Sequence, residues 1–128
     1  MIGELVPVVM LPRFTSYLGE GTYTTVPLDV SDYEGASLEF WRGKLRSPAS
    51  GTFNAYFEEA SEPTMPNDRW TQLASYSTAD ASVLVPLVFT KKFFRIRIEL
   101  TDATNHGVGI TCWAAGSLQK RIPMGGSS

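Results

Sequence analysis

The chain has 128 residues, a net charge of −2 and a charged fraction of 19%, which are values of one ordinary globular domain. The acidic balance argues against a general nucleic-acid binder, because such proteins depend on clustered Lys and Arg. No apolar run approaches the ~20 residues of a membrane span. We therefore expect neither a nucleic-acid partner nor a membrane partner. The single cysteine, Cys112, cannot form an intrachain disulfide and is expected to be a small buried hydrophobe.

Residues 1–12 are predicted to form an extended arm, since Pro7 and Pro12 argue against a central strand. Burial of an apolar side chain contributes roughly 1.5–3 kcal/mol, whereas ordering the backbone costs roughly 1–2 kcal/mol per residue. These sums are comparable, so the arm needs a preformed acceptor, either the edge of its own domain or a neighbouring subunit. The candidate partner-binding residues of the arm are Leu5, Val6, Val8, Val9, Met10 and Leu11.

Residues 13–121 read as one β-sandwich domain, and 122–128 as a flexible tail. Apolar and polar residues alternate with period two, and Gly, Pro, Asn and Asp clusters separate the runs. Pro86 marks its strand as an edge or a bulge. We predict an all-β fold, an antiparallel two-sheet sandwich or jelly roll of about eight strands without a convincing helix. The predicted strands are 13–18, 22–30, 36–46, 52–60, 69–77, 81–90, 92–100 and 108–115, with 117–121 as a candidate continuation of the last.

The residues that chemistry would need are scarce. His106 is the only histidine, which removes the usual general base and any multi-histidine metal site. The densest acidic cluster, Glu58, Glu59, Glu62 and Asp68, is read as a solvated edge that discourages strand aggregation. A calcium site is the weaker alternative, because the spacing matches no calcium loop. We expect no enzymatic activity, no metal and no cofactor.

Two sets of side chains are candidates for surface contacts. A basic stripe contains Lys91, Lys92, Arg95 and Arg97, and is expected either to pair across strands with Glu39, Glu58 or Glu99 or to meet an anionic partner. The large aromatic residues are Trp41, Tyr56, Trp70 and Trp113. They belong either to the core and to interfaces or, if exposed and coplanar, to a sugar-binding surface. From these sets Trp41, Tyr56, Trp113, Arg95 and Arg97 are the predicted surface patches.

Three segments resemble a family. Phe53–Ser61 followed by Arg69–Ala74, the strand Lys92–Ile98, and Gly107–Thr111 are similar to patterns in β-sandwich proteins of tailed-bacteriophage virions. The likeness covers about the C-terminal two-thirds of the chain. It departs from the family pattern at Glu62–Asp68, where the loop is longer and richer in proline.

The resemblance implies a head-decoration (cement) protein or a related capsid or tail accessory protein. Its partner would then be the major capsid protein or another virion protein, and its location the virion, after assembly in the host cytoplasm. Such proteins act as oligomers on the shell, so we expect a homo-oligomer, with a trimer as the specific expectation. The alternative is a carbohydrate-binding β-sandwich module that uses Trp41, Trp70 or Trp113.

Overall fold

The computed structural model describes residues 5–45, 51–77, 81–102 and 108–121. His106 and the tail at 122–128 lie outside the described residues. Within them one 3₁₀ turn, Asn67–Arg69, is the only helical element, and no helix is long and apolar enough to cross a membrane. The strands are β1 (Leu5–Leu18), β2 (Gly21–Thr24), β3 (Leu28–Asp29), β4 (Tyr33–Arg42), β5 (Gly51–Ala60), β6 (Thr71–Tyr76), β7 (Ala81–Val88), β8 (Phe93–Asp102) and β9 (Gly109–Lys120).

The strands form two antiparallel sheets that face each other. The four-stranded sheet has the order β1-β9-β4-β7, and the five-stranded sheet has the order β2-β8-β5-β6 with β3 also paired to β8. Because β2 and β3 pair with one strand and are separated only by Thr25, Val26 and Pro27, they act as one interrupted strand. Counted so, the eight strands have the order of a jelly roll, in which every connection crosses between the sheets except the one from β5 to β6. The predicted all-β sandwich is confirmed.

Phenylalanine side chains hold the two sheets together. Phe40 of the four-stranded sheet meets Phe57 of the five-stranded sheet edge-on, with ring centroids 5.5 Å apart. Phe57 also lies 6.4 Å from Phe94 and 5.7 Å from Tyr76, centroid to centroid. All three phenylalanines are fully buried, and such aromatic pairs contribute about 0.5–1.5 kcal/mol beyond the buried area. Alternation predicts an inward Phe57, as found, and it groups Phe40 with Leu38 and Phe94 with Ile96 on one face of each strand. The structure shows that these faces are the buried ones.

The predicted arm is part of the first strand. Strand β1 is continuous from Leu5 to Leu18, so the boundary proposed at residue 12 falls inside an element. Leu5–Leu11 pair with β9 of the same chain, and β1 lies at the sheet edge, where Pro7 and Pro12 are tolerated. In this structure the arm therefore packs on the edge of its own sandwich, the first of the two alternatives.

Close contact between β9 and β4 depends on a glycine. A Cβ atom added to Gly116 would overlap the carbonyl oxygen of Ser37 and the Cα of Leu38. β9 and β4 are the two central strands of the four-stranded sheet. The absence of a side chain at Gly116 lets these strands, and the outward residues on them, lie close together.

Candidate functional site

The two outer surfaces of the sandwich differ in chemistry. The outer surface of the five-stranded sheet carries an ionic cluster centred on Glu58, whereas that of the four-stranded sheet carries exposed aliphatic side chains among small and mostly uncharged polar ones. Its outward residues, hereafter the apolar face, are Leu5, Pro7 and Val9 of β1; Trp113, Ala115, Ser117 and Gln119 of β9; Gly35, Ser37, Glu39 and Trp41 of β4; and Ser82, Leu84, Pro86 and Val88 of β7.

The apolar face gathers most of the exposed hydrophobic side chains. Among the described residues six large hydrophobic side chains are strongly exposed, and four lie on this face: Leu5 (60%), Val9 (61%), Leu84 (64%) and Val88 (72%). Leu18 belongs to β1 of the same sheet, and only Val26 lies elsewhere. An isolated exposed leucine is unremarkable, but four exposed aliphatic side chains on one face of a folded domain indicate a contact surface.

The register shows how these residues are arranged. The exposed aliphatic side chains lie on the two edge strands, β1 and β7, while the small residues Ala115, Ser117 and Ser37 lie between them. Trp41 and Trp113 are directly opposite each other on β4 and β9. The tip of the Trp41 indole reaches toward Gly43, where an added Cβ would lie 3.1 Å from it. The face is therefore a broad, shallow surface with an aromatic pair at one end.

Both edges of this sheet are protected against strand addition. Pro7 and Pro12 lie in β1, and Pro86 lies in β7. Pro86 is opposite Ser37, and Pro7 is opposite Ser117. Because proline has no N–H to donate, each edge presents an interrupted row of backbone donors. A partner of this sheet is thus expected to contact the face rather than extend the ladder.

The ionic cluster on the other outer surface is internally paired. Glu58 is 2% exposed, and its carboxylate accepts hydrogen bonds from Arg95 Nε at 2.9 Å and Arg97 Nε at 3.1 Å. Arg97 also pairs with Glu99. The cross-strand pairing expected with Glu58 is confirmed, whereas the Arg97–Glu99 pair lies within β8 and Glu39 pairs with none of the basic residues. Burial lowers the pKa of Arg97, but the hydrogen bonds and charges of Glu58 and Glu99 outweigh this and raise it.

Arg95 was predicted in a surface patch, and this is wrong. Its side chain is buried because the segment before β6 folds over it: the guanidinium lies 4.1 Å from the Trp70 ring centroid and donates to Asn67 Oδ1 at 2.8 Å. Arg97 is partly buried over Tyr56, 4.3 Å from its ring centroid. These residues form a structural cluster rather than a free basic surface.

The remaining predicted site residues separate by face. Of the six arm residues, Val6, Val8, Met10 and Leu11 pack against the core of their own domain, which leaves only Leu5 and Val9 largely exposed. Alternation along the strand causes this division from Leu5 to Met10, and the register shift between Val9 and Leu11 turns Leu11 inward as well. Trp41 and Trp113 lie on the apolar face, and Trp70 is buried with its Nε1 donating to the Met65 carbonyl at 2.8 Å.

The sequence reading missed Leu84 and Val88. A signal for them was present, because Ala81–Val88 is apolar at inward and outward positions alike, and a strand apolar on both faces is typical of one covered on both faces.

The buried thiol of Cys112 and the buried carboxylate of Glu59 are, respectively, protonated and hydrogen-bonded. Burial raises the pKa of Cys112 to about 12, so the thiol stays protonated at neutral pH. Glu59 is buried and accepts hydrogen bonds from the backbone N–H of Thr90 at 2.8 Å and of Lys91 at 3.0 Å. Within the described ranges, no group of three or more His, Cys, Asp or Glu side chains could hold a metal ion.

No protein-family model matches the sequence, and no curated protein sequence matches it. Solved structures are similar in fold. A chain of infectious bursal disease virus Gt strain matches 98% of this chain with a TM-score of 0.51 at 10% identity. The PBSX exported protein XepA matches 92% with a TM-score of 0.52 at 13% identity. A structure of carbohydrate-binding modules of the β-sandwich superfamily matches 93% with a TM-score of 0.50 at 12% identity.

This chain spans only part of those proteins, namely 33% of the viral chain, 40% of XepA and 55% of the carbohydrate-binding structure. At these identities the likeness establishes a β-sandwich fold shared with a virus-particle chain and with carbohydrate-binding modules.

Proposed function

We propose that this chain is a non-enzymatic structural protein of a phage particle, a capsid decoration (cement) protein that binds the major capsid shell through the apolar face. The observation that carries the proposal is the concentration of exposed hydrophobic side chains, Leu5, Val9, Leu84 and Val88, on one surface of a rigid sandwich. A cement protein needs such a surface and needs no chemistry.

The fold is consistent with this role. Jelly rolls are used by viral capsid domains, and the viral chain named above shares the fold over 98% of this chain. Since one fold supports many functions, the argument depends on the surface. The paired state of Glu58 with Arg95 and Arg97 and the protonated Cys112 support a role without turnover.

The size of the face favours a multivalent protein. Strands lie ~4.8 Å apart and outward positions on one strand about 6.8 Å apart, so four rows on four strands cover roughly 500 Å². A standard stable interface buries about 800 Å² per partner. One copy would therefore bind weakly, and several linked copies would bind with avidity. A homo-oligomer, with a trimer as the specific expectation, belongs to this proposal, as does a location in the virion after assembly in the host cytoplasm.

A carbohydrate-binding module is the second candidate, favoured by the adjacent Trp41 and Trp113 and by the fold shared with carbohydrate-binding modules. It would use the tryptophan end of the apolar face, because Trp70 is buried. A glycan array separates the candidates. Retention that is lost on Trp113→Ala would support sugar binding, whereas an array without signal would remove it.

The direct test uses phage heads assembled without this protein. The purified chain should cosediment with them saturably and raise their resistance to heat. Failure of the chain to bind such heads at any concentration would contradict the proposal. The neighbouring genes give an independent test, because a decoration gene is expected beside genes for the portal, the protease or the major capsid protein.

A further inference from the structure

One charged side chain lies within the apolar face. Glu39 is exposed, with Ala115 of β9 on one side and Leu84 of β7 on the other. Its row therefore reads Val9, Ala115, Glu39, Leu84 across the four strands. Among the outward side chains that the structure describes on this face, no other is charged. The carboxylate thus lies on a central strand, between the exposed aliphatic side chains of the two edge strands.

The Glu39 carboxylate has no partner within the described part of the chain. Neither an ion pair nor a side-chain hydrogen bond involves it, in contrast to Glu58 and Glu59. A second acidic residue, Glu34, lines a depression of about 240 Å³ at one end of the face, next to Gly35 and Val88. Lys120 and Arg121 lie at the same end of the sheet, next to Tyr33, so Glu39 is distinguished by its position in the middle of the face.

Covering the face would remove Glu39 from water. A carboxylate buried without a partner costs several kcal/mol, so a bound surface must either supply a cation or leave the carboxylate solvated. Leu84 and Val9 lie in the same row, so full contact with these side chains would cover Glu39 as well.

We propose that the apolar face recognises a protein surface that is itself flat and apolar and that places one Lys or Arg against Glu39. This inference rests on the proposed function and adds a specificity-determining residue to it. The hydrophobic side chains supply the contact area, and Glu39 selects among apolar surfaces by rejecting those without a matching cation.

The same residue disfavours a second copy of this chain on the face. In a two-fold, face-to-face pair the same patch is used by both subunits, which would bring the two Glu39 carboxylates close together in an apolar contact. Like charges at an interface core oppose association. Glu39 therefore keeps the face open for the shell while the copies of an oligomer meet elsewhere.

The test measures binding of full-length variants to heads lacking the protein. Glu39→Lys should weaken binding by about tenfold or more and Glu39→Gln by less. Glu62→Lys is the matched control, because Glu62 is exposed on the loop before β6 and the change in net charge is the same. It should bind like the wild type. Equal binding by Glu39→Lys and Glu62→Lys would overturn the inference.

Two further measurements separate this inference from the proposed function. If Leu84→Ser weakens binding and Glu39→Lys does not, the face is right and the role of Glu39 is wrong. If the wild type itself does not bind heads, the proposed function fails. Sedimentation velocity then tests the inference without heads. In a mixture of wild type and Glu39→Lys, the carboxylate of one protein can meet the lysine introduced in the other, so the mixture should form a complex that neither protein forms by itself. A mixture that sediments as the average of its components would contradict it.

Discussion

Glu58 and Glu59 are consecutive residues of β5, yet their carboxylates bind on opposite faces of the five-stranded sheet. Glu58 binds Arg95 and Arg97 on the outer surface, and Glu59 binds the backbone N–H groups of Thr90 and Lys91 at the inner side. The register between β5 and β6 shifts between Phe57 and Glu58, next to these residues. Glu59 thus holds the β7–β8 loop directly, whereas Glu58 reaches the segment before β6 only through Arg95.

Removal of the Glu58 charge should destabilise the domain strongly. Glu58→Gln leaves Arg95 and Arg97 with a neutral acceptor, and breaking a buried pair on one side costs about 3 kcal/mol or more. Urea denaturation gives the free energy of unfolding. The control is Glu99→Gln, since the Glu99 side chain is 32% exposed and its pair with Arg97 should contribute less than about 1 kcal/mol. Equal losses in both variants would refute the central position of Glu58 in the cluster.

Glu59 should stabilise the β7–β8 loop through hydrogen bonds from backbone amides. Glu59→Ala removes the acceptor of the Thr90 and Lys91 N–H groups and of the Thr90 hydroxyl, at a cost of about 1–3 kcal/mol. Glu59→Gln keeps an acceptor oxygen and should lose about 1 kcal/mol, because its hydrogen bonds are no longer charge-assisted. Amide hydrogen exchange at Thr90 and Lys91 should quicken more in Glu59→Ala than in Glu59→Gln. Unchanged exchange in both variants would be inconsistent with this clamp.

Cys112 should make stability fall at high pH. Burial raises the pKa of the folded thiol from 9.0 to about 12, so above pH 9 the unfolded chain releases this proton while the folded chain keeps it. The contribution of the buried thiol to the free energy of unfolding is present in full below pH 9 and is lost between pH 9 and 12. Over that range the free energy of unfolding falls by about 1.4 kcal/mol per pH unit. Cys112→Ala lacks it, and the difference between the two chains isolates it from lysine and tyrosine titration. A constant difference across that range would contradict the burial effect.

The alternation of apolar and polar residues predicted which side chains face the core, but it did not predict which outward side chains remain exposed. Phe94 and Ile96 face the core as their spacing indicated, and Pro86 lies in an edge strand. Arg95 occupies an outward position too, but Trp70 and Asn67 cover it. That contact joins residues far apart in the chain, so alternation within one strand cannot reveal it.

The first strand shows the same limit. The prolines correctly indicated an edge, but the pairing of Leu5–Leu11 with β9 depends on a strand more than a hundred residues later. Likewise the apolar face exists only because β1, β9, β4 and β7 become neighbours. Each of its residues was visible in the sequence, whereas their common surface follows from the strand order.

The most direct test of the central claim compares the loss of exposed aliphatic side chains on the apolar face with the loss of one that lies off it. Leu84→Ser with Val88→Ser removes exposed aliphatic side chains from the apolar face, and Val26→Ser removes the 85% exposed side chain that lies off it. Binding to phage heads lacking the protein should fall about tenfold or more for the double variant, because it removes two of the four strongly exposed aliphatic side chains of the face and each such side chain contributes roughly 1.5–3 kcal/mol when buried. Val26→Ser should bind as the wild type does. Undiminished binding by the double variant, or an equal loss in Val26→Ser, would contradict the claim that this face attaches the protein to its partner.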